Sequence, residues 1–158
     1  MSSKKSKAPT TSAYRWEYGK LIPRAVIRRY ARQIAKRFQP EKIILFGSYA
    51  YGKPHKDSDV DILVVMPAYD EINQAVRIRQ KTDHLFPLDL IVRTPKNLGW
   101  RLEEGDWFLR EIVGNGKVLY EKIPGSNRAD ARNARAAIRL AERVQLKACT
   151  RLGLRTKP

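Results

Sequence analysis

The sequence predicts an α/β or α+β fold, in which a short mixed sheet is packed by helices. Short apolar runs rich in Val and Ile alternate with segments whose apolar residues recur at helical spacing, and prolines or glycines separate the two kinds of segment. The 158-residue chain is long enough for one compact domain with appendages. Hydrophobic residues make up 42% of it, which is enough for a core.

The first half of the predicted domain contains one helix and two strands. Apolar residues at helical spacing follow Pro23 and predict a helix that ends at Pro40, with basic residues on another face. We expect the first strand at Lys42–Phe46 and the second at Val60–Met66. A turn and loop are predicted for residues 47–58 between them.

The second half of the domain repeats this alternation. The sequence predicts a helix at Asp70–Asp83 and a third strand at Leu88–Val92, between two prolines. Asn97–Val113 is typical of a helix that is broken or bent near Gly105. The last predicted strand is Lys117–Glu121.

The distribution of charge divides the chain into three parts. The net charge is +16, but residues 41–123 contain twelve basic and thirteen acidic residues and are nearly neutral. The excess lies in residues 1–40, with net charge +10, and in residues 124–158, with net charge +7. We therefore predict a basic flexible tail (1–20), a nearly neutral central domain (21–123) and a basic C-terminal helical extension (124–158).

Basic residues recur every three or four positions in the helix predicted at Ala129–Cys149 and just before it. These residues are Arg128, Arg132, Arg135, Arg139, Arg143 and Lys147. One interpretation is a solvated helix face. The other is a docking surface for nucleic acid or for an acidic protein, because exposed charge contacts are weak singly but add up along a row.

Several classes of protein are disfavoured. The apolar runs are far shorter than the roughly 20 residues that span a bilayer, and the N-terminus has no apolar stretch typical of a secretory signal. Cys149 is the only cysteine, so an internal disulfide is excluded, and no Cys/His cluster suggests zinc. We expect a cytoplasmic protein with no membrane partner.

Asp59 and Asp61 are the strongest indication of chemistry. Residues two apart on a strand project to the same face, so the two carboxylates lie side by side while Val60 and Ile62 face a core. Two carboxylates at this spacing repel each other unless a cation lies between them, and a divalent metal ion fits that position. An isolated Asp-x-Asp would otherwise be an ordinary polar strand entrance.

Three further features surround this pair. Gly47 permits close backbone approach, and the Ser48 hydroxyl with nearby N–H groups can bind phosphate oxygens, although Gly-Ser is also a common turn. Asp89 stands alone in an apolar strand, where a buried unpaired acid is costly. Lys53 is a candidate to neutralise a bound phosphate chain, with solvation in the loop as the alternative.

Two other motifs are excluded, one at two required positions and the other at one. Asp57, Asp59 and Asp61 alternate as in a calcium-binding EF-hand loop, but that loop requires Gly where this chain has Ile62 and Glu where it has Ala68. Residues 47–53 match the first seven positions of a P-loop. The eighth, which must be Ser or Thr, is a proline.

Together, Gly47-Ser48, ten intervening residues and Asp59-x-Asp61 at the head of an apolar strand resemble the signature of the nucleotidyltransferases of the DNA polymerase β superfamily. Small members called minimal nucleotidyltransferases look most similar. The resemblance extends from about residue 40 to residue 120, and it places the family's third carboxylate at Asp89. Many relatives have Arg at the position of Tyr51, so the resemblance does not extend to this residue.

The resemblance implies a polymerase β-like fold and a set of roles. Asp59, Asp61 and Asp89 would bind two Mg²⁺ ions, and Gly47, Ser48 and Lys53 would bind the triphosphate of ATP. Minimal nucleotidyltransferases of this kind are commonly antitoxins, which transfer AMP to a tyrosine of a HEPN-family toxin. A homo- or hetero-oligomer is compatible with this implied function.

Two alternatives to a protein adenylyltransferase remain open. One is a small-molecule adenylyltransferase of the aminoglycoside type. The other is a non-catalytic module that binds nucleic acid or a protein partner through the basic flanks.

Overall fold

The computed structural model describes Glu17 and residues 19–123. The C-terminal extension predicted at 124–158, with its helix, lies outside the described residues, as does the tail predicted at 1–20, apart from Glu17, Gly19 and Lys20. Within the described part of the chain, no helix combines the length and the apolar character needed to cross a membrane.

Residues 19–123 contain four strands and five helices. The strands are β1 (Lys42–Phe46), β2 (Val60–Val65), β3 (Leu88–Arg93) and β4 (Lys117–Glu121). The helices are α1 (Arg24–Phe38), α2 (Gly47–Tyr51), α3 (Glu71–Lys81), α4 (Pro95–Glu103) and α5 (Trp107–Asn115). The predictions for β1 and β4 are confirmed to the residue.

The other described elements begin and end within about two residues of their predicted limits, apart from one segment. The helix predicted at Asn97–Val113 is broken near Gly105, as predicted, into α4 and α5. Gly105 has a φ of 91°, in the left-handed region that favours glycine. The prediction of a loop throughout residues 47–58 is wrong at its start, because Gly47–Tyr51 forms the one-turn helix α2. That turn ends at Gly52, which is also left-handed with φ 78°.

The sheet is mixed, as predicted. Its strand order is β3-β2-β1-β4, with β1 antiparallel to both of its neighbours and β2 parallel to β3. The parallel pair is joined by α3, because a parallel connection needs a crossover segment. Among the described residues, β3 pairs with β2 alone and is therefore an edge strand.

Helices cover both faces of the sheet. On one face, α1 and α3 pack on the side chains of Ile43, Leu45, Val60, Ile62 and Val64. On the other, α4 and α5 pack on Ile44, Phe46, Leu63 and Val65. Burial on both faces explains why β1 and β2 are continuous apolar runs rather than alternating ones.

Polar caps fix where three of the helices begin. The Asp70 side chain accepts a hydrogen bond from Asn73 N–H at the start of α3, and Thr94 accepts one from Asn97 N–H at the start of α4. Asp106 accepts one from Leu109 N–H at the start of α5. Each cap satisfies one of the backbone donors that a first helical turn leaves unpaired.

Candidate active site

Three carboxylates lie on the face of the sheet that α4 and α5 cover. Asp61 is two residues before Leu63, and Asp89 is two residues before Ile91, and both of these apolar side chains pack on that side. Asp61 and Asp89 are direct partners in the parallel register of β2 and β3. Asp59 immediately precedes β2. Parallel register therefore brings together acids that are 28 residues apart in the sequence.

Asp61 is the least exposed of the three acids. Its partial burial, together with the negative charges of Asp89 and then Asp59, raises its pKa from 3.8 to about 6. Burial disfavours the ionised form, and two like charges nearby disfavour it further. The carboxylate is thus held where a cation would stabilise its charged form.

Gly47 lies directly against this carboxylate. Its φ of 66° is left-handed, and a Cβ added there would overlap the Asp61 side chain, standing 2.9 Å from its Cγ. Glycine is needed at this position for two reasons, the backbone conformation and the space. The sequence indicated a close approach at Gly47, and the structure identifies Asp61 as the group approached.

The segment after Gly47 is compact. Lys53 N–H donates to the backbone oxygen of Ser48 at 3.0 Å, which closes the turn after α2. Further on, the Ser58 hydroxyl accepts from His55 N–H at 2.9 Å, and Ser58 is buried. These contacts fix the path of the chain into Asp59, while the Lys53 side chain is exposed.

Asp89 is more exposed than its apolar surroundings in the sequence suggested. Its side chain is 61% exposed, because β3 is an edge strand, and Arg79 Nη2 lies 3.9 Å from its Oδ1. The Arg79 guanidinium also donates to the Leu88 backbone oxygen at 2.7 Å, which holds it beside β3. The cost of an unpaired buried acid therefore does not apply to Asp89.

Within Glu17 and residues 19–123, no three His, Cys, Asp or Glu side chains are grouped closely enough to hold a metal ion. Asp59 and Asp89 both act on the charge of Asp61, but both are exposed, and Asp89 lies at ion-pair distance from Arg79. Carboxylate oxygens are nevertheless the ligands that Mg²⁺ prefers. In its chemistry, the crowded set around Asp61 fits a divalent cation.

Two side chains that the sequence did not identify as functional border the site. Slight burial raises the pKa of Tyr51, as do a hydrogen bond to Glu111, the negative charge of Glu111 and that of Asp61. A hydrogen bond from the Gly47 backbone acts in the opposite direction. Tyr51 was visible in the sequence only as a departure from relatives. Glu111 gave no local signal, because α5 reaches the site only through tertiary packing.

Aromatic rings continue this border along α5. Phe108 is in edge-to-face contact with Phe46, the residue before Gly47, at a ring-centroid distance of 5.8 Å. Trp107 is next to it, with 77% of its surface exposed. The site is therefore open to solvent on the side of α5.

Residues 27–120 match the profile of a family described as the nucleotidyltransferase domain. A protein adenylyltransferase, MntA, of Thermococcus cleftensis is 28% identical over 91 residues, which are 56% of this chain and 88% of that protein.

Similar solved structures include a toxin–antitoxin with AMP-PNP, with a TM-score of 0.42, 21% identity and coverage of 80% of this chain and 95% of that one. Another contains a tri-AMPylated HEPN toxin of Shewanella oneidensis in complex with an MNT antitoxin. It has a TM-score of 0.36, 18% identity and coverage of 80% of this chain and 95% of that one.

Proposed function

Because the chain belongs to the nucleotidyltransferase domain family, and is therefore an enzyme, we propose that it transfers AMP from ATP to a tyrosine hydroxyl of a partner protein, a toxin of the HEPN family. The observation that carries the proposal is the contact between Gly47 and Asp61, with Asp59 and Asp89 beside it. Folding alone gives no reason to crowd three acids there, because the charges repel one another.

Asp59 and Asp61 would hold two Mg²⁺ ions between them, and Asp89 would hold one of the two. Bound Mg²⁺ ions in such a pair neutralise the triphosphate, favour ionisation of the attacking hydroxyl and stabilise the leaving pyrophosphate. The raised pKa of Asp61 supports this assignment, because the charged carboxylate lacks a counter-ion within the described residues. Asp89 would have to exchange Arg79 for the cation.

The triphosphate would lie along the turn that follows β1. The Gly47 backbone and the Ser48 hydroxyl would bind its β- and γ-phosphate oxygens, and the exposed Lys53 would add a positive charge. The missing Cβ of Gly47 lets the Asp61 carboxylate lie directly against this turn. The triphosphate would therefore lie next to the acidic side chains.

The transfer step forms one bond and breaks one. The acceptor oxygen attacks the α-phosphorus of ATP, the bond from that phosphorus to the bridging oxygen breaks, and pyrophosphate leaves. Asp89 accepts the hydroxyl proton. Its exposure supports this role, because a tyrosine on a second protein can reach an exposed edge strand but cannot reach a buried carboxylate.

A protein acceptor is favoured over a small molecule by two observations. The relative from Thermococcus cleftensis is a protein adenylyltransferase. In addition, the described residues form one sheet and its helices, and none of them builds a second lobe over the site that would enclose a small substrate. Such a site suits a protein acceptor, whose own folded surface can cover the site when it docks.

The proposal is tested by incubating the protein with α-³²P-labelled ATP, Mg²⁺ and the protein encoded by the neighbouring gene. We expect label on a tyrosine of that protein, and none when the tyrosine is replaced by Phe. Asp61→Asn and Asp59→Asn should each lower the rate by about 10³-fold or more, because each removes a charge on which the metal site depends.

Asp57→Asn is the matched control, since Asp57 is an exposed acid in the same segment. It should keep the wild-type rate. The proposed metal site is wrong if Asp61→Asn transfers label as fast as Asp57→Asn while both retain the wild-type circular dichroism spectrum. Label on an aminoglycoside but not on the protein would instead overturn the acceptor alone.

A further inference from the structure

The outer face of α1 is a row of positive charge. The helix contains six basic residues and no acidic one, and its residues 24, 28, 32 and 36 are all basic and exposed. These four, which we call the α1 row, are Arg24, Arg28, Arg32 and Lys36. In the described part of the chain none of their side chains forms a hydrogen bond or an ion pair with another residue.

Folding of the helix does not require this row. The buried positions of α1 are Ile27, Tyr30, Ala31 and Ile34, and they pack on the sheet from the opposite side of the helix. Like charges four residues apart on a helix destabilise it by a few tenths of a kcal/mol per pair, about 0.2–0.5. The row therefore lowers the stability of the helix slightly, and its exposed side chains gain no packing in return. A binding role would explain why it is present.

We propose that the α1 row binds the phosphate backbone of a nucleic-acid duplex. Residues four apart on a helix are separated by about 6 Å along its axis. Phosphates along one strand of a duplex are spaced by about 3.4 Å per base pair, so every second phosphate comes at about 6.8 Å. The four cations span roughly 18 Å, which is the length of about five base pairs along the duplex axis, so several phosphates come within reach of the long Arg and Lys side chains.

The composition of the surface favours this partner over a protein. Six residues of α1 are exposed, and five of them are cations, the sixth being Ala25. Protein interfaces are anchored by aromatic and apolar side chains in their centres, and their cores are depleted of charge. The exposed face of α1 offers no such anchor.

The same composition argues against a single strand. Proteins that bind single strands stack bases on aromatic side chains, and no aromatic residue is exposed on α1. Contacts to phosphates alone carry no sequence information. The expected binding is therefore independent of sequence, stronger for a duplex than for its separate strands, and equal for DNA and RNA duplexes.

The α1 row and the candidate active site lie on opposite faces of the sheet. α1 covers the side of Val60 and Ile62, whereas Asp61 shares the side of Leu63, under α4 and α5. A bound duplex would leave the nucleotide site accessible. This surface thus goes beyond the proposed transfer reaction and is independent of it.

Fluorescence anisotropy of the full chain with a labelled 20-base-pair DNA duplex, without ATP, tests the inference at several KCl concentrations. Each phosphate contact contributes about −0.9 to the slope of log K against log salt concentration. Arg28→Gln/Lys36→Gln should therefore make the slope shallower by about 1.8, and it should weaken binding at least about tenfold near 0.1 M salt.

Arg77→Gln/Lys96→Gln is the matched control. It also removes one Arg and one Lys, both exposed and both on other helices, and should leave the slope unchanged. Equal loss in the two double variants would show that only overall charge matters, and it would overturn the proposal. An unchanged slope in Arg28→Gln/Lys36→Gln would overturn it as well.

Two further arms identify the ligand. The labelled single strand should bind more weakly than the duplex, and tighter binding of the strand or of a poly-glutamate peptide would contradict the assignment. Asp61→Asn should bind the duplex like the wild type, and Arg28→Gln/Lys36→Gln should retain wild-type transfer to the acceptor protein. Duplex binding and nucleotidyl transfer can therefore fail separately.

Discussion

Like charges are arranged in opposite ways on the two faces of this domain. Under α4 and α5, Asp59 and Asp89 lie near Asp61, and the burial of Asp61 together with their negative charges raises its pKa. On the other side, the cations of the α1 row are spread along a helix and exposed to water.

The contrast teaches how charge placement relates to function. Converging carboxylates in a partly buried setting are costly, because water screens them poorly, and the cost is removed by a ligand that concentrates positive charge at one point. Spread cations cost little, and they suit a ligand that is itself an extended row of opposite charge. Neighbouring carboxylates therefore suit a catalytic metal site, and a spread row of cations suits the binding of an extended anion through many weak contacts.

The largest effect is expected from Gly47→Ala, at the glycine that contacts Asp61. An alanine at positive φ costs about 1–2 kcal/mol, and the added Cβ must displace the Asp61 carboxylate. We expect the free energy of unfolding to fall by about 2–4 kcal/mol and the transfer rate to fall by about 100-fold or more. Denaturant unfolding and the label-transfer assay measure the two effects.

Gly52→Ala separates the two causes. Gly52 also has a positive φ, 78°, but a Cβ there would meet nothing within 4 Å. This variant should lose about 1 kcal/mol, from the backbone alone, and remain active. If both variants lost the same stability and activity, the contact between Gly47 and Asp61 would not be the important feature.

A second test uses the pH dependence of stability in the presence of EDTA. Because the pKa of Asp61 is about 6 in the folded state and near 3.8 when unfolded, the folded state binds the proton more tightly. Protonation of Asp61 therefore stabilises the folded state fully below pH 3.8, and this contribution is lost as the pH rises through about 6. For a half-exposed carboxylate screened by water, the loss is on the order of 1 kcal/mol.

The measurement is the difference in unfolding free energy between Asp61→Asn and the wild type at pH 4.5 and at pH 7.5. The variant should gain stability relative to the wild type at the higher pH, because it carries no charge to repel. The same difference in unfolding free energy, measured for the Asp57→Asn variant that removes an exposed acid, should change little with pH. A difference for Asp61→Asn that stays constant with pH would refute the crowding argument.

The smallest effect is expected from one cation of the α1 row. Arg28 has Arg24 and Arg32 four residues away on either side. Arg28→Gln should therefore leave the free energy of unfolding unchanged or raise it by about 0.2–0.5 kcal/mol for each of the two like-charge pairs that it removes. A loss above about 1 kcal/mol in thermal or denaturant unfolding would mean that the row has a structural role.

Much of the fold could be predicted because its signals are local. β1 and β4 are short apolar runs bounded by turn residues, and α1 lies between two prolines, so sequence-local patterns set their limits. Gly105 indicated the break that separates α4 from α5. Helix α2 was missed, because a single turn of five residues produces no helical periodicity.

The site was predictable in part. The Asp59-x-Asp61 spacing predicted two acids on one face, and the identity of Gly47 predicted a close approach. The exposure of Asp89 and its pairing with Arg79 follow from the edge position of β3, which no local pattern gives. The position of Glu111 beside Tyr51 likewise depends on how α5 packs.

The sequence by itself determined the alternation of helices and strands, the charges that each carries and the glycine that the turn after β1 requires. These depend on neighbours within a few residues, where backbone sterics and periodicity act. Only the tertiary structure decided that Asp61 lies beside Asp89 and against Gly47, and that the α1 row lies on the opposite side of the sheet. Strand order and register are set by which apolar faces can be buried together, and that is a property of the whole chain.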